Sequence, residues 1–465
     1  MIGAGPRGLA ASAALALALA ACEGEKLTVE ELQDPNTCAE CHPKHFTQWS
    51  GSMHAYAADD PVFLAMNRRG QRETNGALGD FCINCHAPMA KQLGFTDFAN
   101  FDPELLPPAA RGITCYFCHN VKEVTSTHDN GLVLANDQTM RGGLRDPVDT
   151  PAHHSKYDRQ MDSAATDSRL CGSCHDIVVP ASLNGTRDVA LERTFAEWKE
   201  TFFATSEEPA LRVSCSGCHM VSSRLEPIAD APGVRPREHG FHDHMFAGID
   251  VALTPFPQME EQLAAVHEIL DPSVRIVGPA PLGTSRPTGG ICVLPNNTIT
   301  VRVDSIGVGH SWPSGAAQDR RAWLEVIAYD VDGAILFQHG VVPPGMDPEA
   351  VDPDVFGFWD RTFKADGTPA HFFWEVDRVE SNLLLAPAMP KQDVSRTATF
   401  SVATGNVERV TARLRFNPLP YALLDDLIAS GDLAPEIRDR VKTLEVGEPT
   451  VWLRSTAVNR CGPQP

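Results

Sequence analysis

Cys38-Ala39-Glu40-Cys41-His42 opens a series that decides how this chain is built. The same pattern returns as Cys82-Ile83-Asn84-Cys85-His86, Cys115-Tyr116-Phe117-Cys118-His119, Cys171-Gly172-Ser173-Cys174-His175 and Cys215-Ser216-Gly217-Cys218-His219. A lone Cys-x-x-Cys fits a redox dithiol or half a zinc site. Neither chemistry requires a histidine at the same offset five times. Covalent attachment of c-type haem does: the two thiols bond the two vinyl groups of one porphyrin, and the adjacent imidazole reaches the iron.

The motif starts are separated by 44, 33, 56 and 44 residues. This irregular spacing excludes a solenoid repeat. Between the motifs the sequence predicts short helices, Thr194 to Phe202 among them, and long loops such as 142–150. Loops of that length are unusual in an ordinary domain. Here the haems are expected to form the core, with the chain wrapped around them. Met259, Leu263, Val266 and Leu270 recur at helical spacing. From Asp271 to Gly290 the Gly and Pro content marks a linker. Beyond it, Thr298–Val303, Ala322–Tyr329, Thr397–Val402 and Val410–Phe416 alternate as strands. Asp332-Gly333 is a hairpin turn signal, and Tyr421 to Ile428 reads as a helix. The expected architecture is multidomain: a haem-packed, mainly α and irregular region over residues 23–274, then an antiparallel β-sandwich over residues 275–465.

The chain has 465 residues and a formal net charge of −21. That charge argues against nucleic acid as a partner, because phosphate contacts need a basic surface. It suits encounter with basic redox proteins as well as plain solvation. The N-terminus reads as a targeting segment. Arg7 precedes an apolar run, Leu9 to Ala21, too short to remain as a spanning helix. The run ends in Leu19-Ala20-Ala21-Cys22, which resembles a bacterial lipobox. Residues 1–22 are therefore expected to be a lipoprotein signal peptide, with Cys22 lipidated and the mature protein anchored to a membrane of the cell envelope. An ordinary signal peptide cleaved nearby is the alternative. Of thirteen cysteines, ten belong to the motifs and one is Cys22. Cys292 and Cys461 remain, either as a disulfide tying the C-terminus to the start of its domain or as two unpaired thiols.

His42, His86, His119, His175 and His219 are the expected proximal iron ligands. Function turns on the opposite axial position, since two imidazoles give an iron that only passes electrons, whereas an open position can bind a small molecule. Twelve further histidines are available. Context selects His54, His153, His154, His244 and His310, the last in the Gly/Pro loop Gly309-His310-Ser311-Trp312-Pro313-Ser314-Gly315. His239 and His242 flank His244, and Met161 is an outside candidate. His45, three residues past His42, is expected on a helix surface.

The segment Trp49 to His54, Gly112-Ile113-Thr114 before the third motif, Asp176 after the fourth, Met220 after the fifth, and His244, Phe246 and Gly248 resemble exported multihaem cytochromes related to cytochrome c554, over roughly residues 35 to 250. The His310 loop resembles one in the β domain that some of these cytochromes carry. The resemblance implies electron transfer, with distal ligands at His54, at one of His153 and His154, and at His244. Four-haem members differ in haem count and lack the β domain. The leading expectation is a five-haem electron carrier working with redox partners in the envelope. The alternatives are a multihaem oxidoreductase acting on a small nitrogen or sulfur compound at one open haem, and a binding module on the β domain. The Cys-x-x-Cys-Lys motif of five-haem nitrite reductases does not occur.

Overall fold

The computed structural model describes residues 26–144, 158–159, 164–238, 240–277, 290–305, 307–386 and 394–455. Cys22, His153, His154, Met161, His239 and Cys461 lie outside them.

Most helices before residue 250 are one or two turns long, and the longest of them is Pro61–Glu73. Several begin where the sequence supplies a cap or a proline. Asp60 accepts from the amides of Val62 and Phe63 ahead of Pro61, and Thr114 and Ser214 cap the helices of the third and fifth motifs. Side-chain oxygens at these positions satisfy amides that a helix start leaves unpaired. Thr194 to Phe202 is not one helix. It divides into Thr194–Trp198 and Phe202–Thr205, because Thr201 turns back to the carbonyl of Trp198.

Small hairpins join these helices: Val121–Ser126 with Gly131–Leu134, and Asp176–Val179 with Val189–Arg193. The turn residues Asp129 and Asn130 both have positive φ, 54° and 57°, a conformation their short polar side chains tolerate. The turn is wedged between two motifs. Asn130 donates its amide to Ser173 O at 2.6 Å and its side chain to Asn84 O.

The C-terminal part forms two larger antiparallel sheets and a two-stranded one, Asp360–Phe363 with Arg378–Ser381. In one, Thr298–Ser305 is flanked by Ile291–Val293 and Ser395–Ser401, and Val274–Ile276 also pairs with it. The sequence reads residues 274–276 as linker; their alternating burial makes them a strand instead. In the other sheet the order is Ile335–His339, Arg321–Tyr329, Arg409–Asn417, Leu444–Leu453. The Asp332-Gly333 turn closes its first hairpin, with Gly333 at φ 84°. Alternate residues of both sheets enter one apolar cluster: Ile299, Val301 and Val303 from the first, Leu324, Val326, Ala412, Leu414 and Phe416 from the second. Val266 and Leu270 of the helix Met259–Leu270 complete it. Cys292 is disulfide-bonded, with its partner outside the described residues.

The N-terminal and C-terminal parts share a second cluster, in which Val62 and Met66 pack with Leu424 and Leu427 of the helix Tyr421–Ala429. Arg72 grips Asp432 with two nitrogens, at 2.8 and 2.6 Å. Arg320, buried, does the same to Asp250, at 2.8 Å each. The geometry is bidentate, the arrangement guanidinium and carboxylate favour.

Candidate haem-binding site

One helical turn explains the motif. Residues three and four apart share a helix face, so the two cysteines stand side by side and the following histidine lies beneath them. The third and fifth motifs are such turns, Cys115–His119 and Cys215–His219. All ten motif cysteines and all five motif histidines line one cavity of about 1720 Å³. Ordinary small-molecule pockets span about 300–1,000 Å³. None of the ten cysteines is in a disulfide.

Backbone carbonyls orient four of the five motif histidines. Nδ1 donates to a backbone carbonyl in His42 (Ile228 O, 2.8 Å), His86 (Ala57 O, 3.0 Å), His119 (Arg141 O, 2.6 Å) and His219 (Ala247 O, 2.8 Å). A carbonyl only accepts, so Nδ1 carries the proton and Nε2 keeps its lone pair for iron. His244 and His310 are fixed the same way, by His242 O at 2.8 Å and Ser311 O at 2.9 Å.

Three pairs of rings then face each other. His119 and His244 have centroids 6.2 Å apart and planes 16° from parallel. His219 and His310 stand at 6.4 Å and 15°. His54 and His175 stand at 6.2 Å and 51°. Two imidazoles on opposite sides of one metal, each bonded at about 2 Å, place their ring centres roughly 6 Å apart. The separation is too wide for ring stacking and matches an intervening iron. Burial pushes His54 down to about 3 and His244 and His310 down to about 4, so these imidazoles are neutral, the form a metal binds. Cysteine pairs, oriented neutral imidazoles and a common apolar-walled cavity all fit haem c.

The structure therefore brings together His54, His244 and His310, each with its own motif histidine. His153 and His154 fall outside the described residues. His86 carries Phe63 stacked on its ring at 4.2 Å and 4°. His45 corrects the reading of a surface residue. It lies inside, stacked on Phe241 at 4.3 Å and edge-on to His244 at 4.6 Å. The helix Pro43–Ser50 turns that face toward the cavity, which spacing from His42 does not reveal.

The sites adjoin one another. Cys215 donates its amide to buried Ser168, in the helix of the fourth motif, at 3.1 Å. Gly112 secures the His54 segment. It has φ 72°, and a Cβ there would stand 2.7 Å from the carbonyl oxygens of His54 and Ala55, closer than atoms allow.

His310 reaches the cavity from the β-rich part, and the segment Arg193–Glu197 clamps it there. Glu197 accepts from the Ser311 amide at 2.9 Å, Thr194 meets Ser314 at 2.7 Å, and Arg193 pairs with buried Asp360 at 2.7 Å. Trp312 exchanges backbone hydrogen bonds with Leu384 at 2.8 and 2.9 Å. These tethers were not legible in the sequence, since nothing local links residue 197 to residue 311.

Residues 37–120 match the family described as cytochrome c554 and c-prime. The fold is similar to the crystal structure of a penta-heme cytochrome c552 from Thermochromatium tepidum, with a TM-score of 0.59 at 19% identity, covering 92% of this chain and 99% of that one. No curated protein matches the chain.

Proposed function

We propose that this multihaem c-type cytochrome, related to the cytochrome c554 family, is an electron carrier of the bacterial cell envelope with five covalent haems. The observation that carries the reading is the set of three imidazole pairs at 6.2, 6.4 and 6.2 Å. An iron held from both sides has no position left for a substrate. When bound, haem supplies a one-electron Fe(III)/Fe(II) couple; the motif cysteines would hold it, and backbone carbonyls fix the tautomer of His42, His86, His119, His219, His244 and His310. Adjoining motifs support transfer between sites. The net charge of −21 supports redox partners with basic faces. We read the two C-terminal sheets as the faces of a β-sandwich that carries a haem ligand, with their shared core as the support.

The haem count is tested by extraction. Thioether bonds survive acid–organic solvent, so five haems per chain should stay with the denatured protein, and fewer would remove one motif from the assignment. Cys118→Ala should lower the count by one and leave the other four.

The lipobox supports anchoring through lipid on Cys22. Among the described residues no helix is long and apolar enough to cross a membrane. Cys22→Ala should release the protein from the membrane fraction. A variant that still pellets with membranes after a salt wash would end the lipoprotein reading.

A further inference from the structure

We propose that Glu192 is an anionic partner for the proximal imidazole of the fourth site, His175, and that it holds that haem at a lower reduction potential than a carbonyl partner would. The other four proximal histidines donate Nδ1 to backbone carbonyls. His175 instead has a carboxylate: Glu192 Oε1 stands 3.9 Å from its Nδ1.

The placement follows from the chain. The strand Asp176–Val179 leaves the fourth motif and pairs with Val189–Arg193, with Ile177 opposite Glu192. This returns residue 192 to the motif from which the strand departed. Glu192 is 9% exposed and lines the cavity. At 3.9 Å the carboxylate lies just beyond hydrogen-bond reach of Nδ1, and a movement of about 1 Å makes the contact a charge-assisted hydrogen bond.

A buried carboxylate needs a counter-charge, and the β-rich part supplies one. A Cβ on Gly315 would stand 3.7 Å from both Glu192 Oε1 and Arg320 Nη2, so the guanidinium and the carboxylate flank the same glycine. Arg320 is itself held by Asp250, and its Nε is buried without a hydrogen-bond partner. Glu192, Arg320 and Asp250 thus place charges of alternating sign near the junction of the two parts, the ion pair itself lying between Arg320 and Asp250.

Hydrogen bonding of a ligand imidazole to an anion raises its basicity. A more basic ligand favours the ferric over the ferrous state, and second-shell hydrogen bonding is one of the means by which a protein sets haem potential. The 51° angle between the His54 and His175 rings, against 15–16° in the other two pairs, further distinguishes this site.

The proposal rests on the bis-imidazole reading of the fourth site, and the experiment separates the two. In a spectroelectrochemical titration of the full protein, Glu192→Gln should keep five haems and the low-spin spectrum. One of the five components should become easier to reduce, its Fe(II)/Fe(III) ratio at fixed potential rising roughly tenfold, about 59 mV for a one-electron couple. Glu192→Asp, which keeps the charge, should move it less. The displaced component should be the one missing from a Cys171→Ala/Cys174→Ala protein. If Glu192→Gln moves no component, or moves one that the double variant retains, Glu192 does not tune the fourth haem. A high-spin fourth haem in the unaltered protein would overturn the bis-imidazole reading and this proposal with it.

Discussion

On the proposed five-haem reading, His310→Ala should leave one iron without its sixth ligand while the others stay as they are. His310 faces His219 at 6.4 Å with rings 15° from parallel, and its Nδ1 is already committed to Ser311 O, so only Nε2 is available to the metal. Removing the ring should convert the fifth haem to high spin, raise its potential and let it bind carbon monoxide when reduced. Added imidazole should restore the low-spin spectrum, because the space left is that of one ring. A variant that keeps the wild-type spectrum and binds no carbon monoxide would show that the β-rich part does not ligate haem.

Phe416→Ala should cost about 3–5 kcal/mol, the range for deleting a buried aromatic ring. Phe416 is fully buried in the core that both sheets share. Its ring lies 6.2 Å from that of Trp312, two residues beyond His310. The cavity created would therefore open beneath the loop that carries the ligand. Denaturation followed by far-ultraviolet circular dichroism should show a lower midpoint for the β-rich part. The low-spin signal of a single haem should disappear in that same transition. If the midpoint falls while all low-spin signals persist beyond it, His310 is held by the haem region alone.

The strands show how far local pattern reaches. Ala322–Tyr329 and Val410–Phe416 alternate because one face of each enters a core, and the structure pairs them over their whole length. The break at Thr201 and the strand Val274–Ile276 were not readable, because each depends on a partner: the Trp198 carbonyl in one case and Thr298–Ser305 in the other. His45 was misplaced for the same reason. Its periodicity fits a helix surface, but the neighbour that covers that surface is Phe241, almost two hundred residues away.

The sequence by itself marked the five candidate haem sites. A thioether pair and its proximal ligand lie within five consecutive residues, and one helical turn is enough to aim them. It also marked His54, His244 and His310 as available ligands. Which motif histidine each one faces was decided only by the tertiary structure, because His54, His244 and His310 each come from a segment remote from its partner in the chain. The same holds for Glu192. Its value lies in standing 3.9 Å from His175, a distance set by the pairing of two strands and by the guanidinium that the β-rich part places beside it.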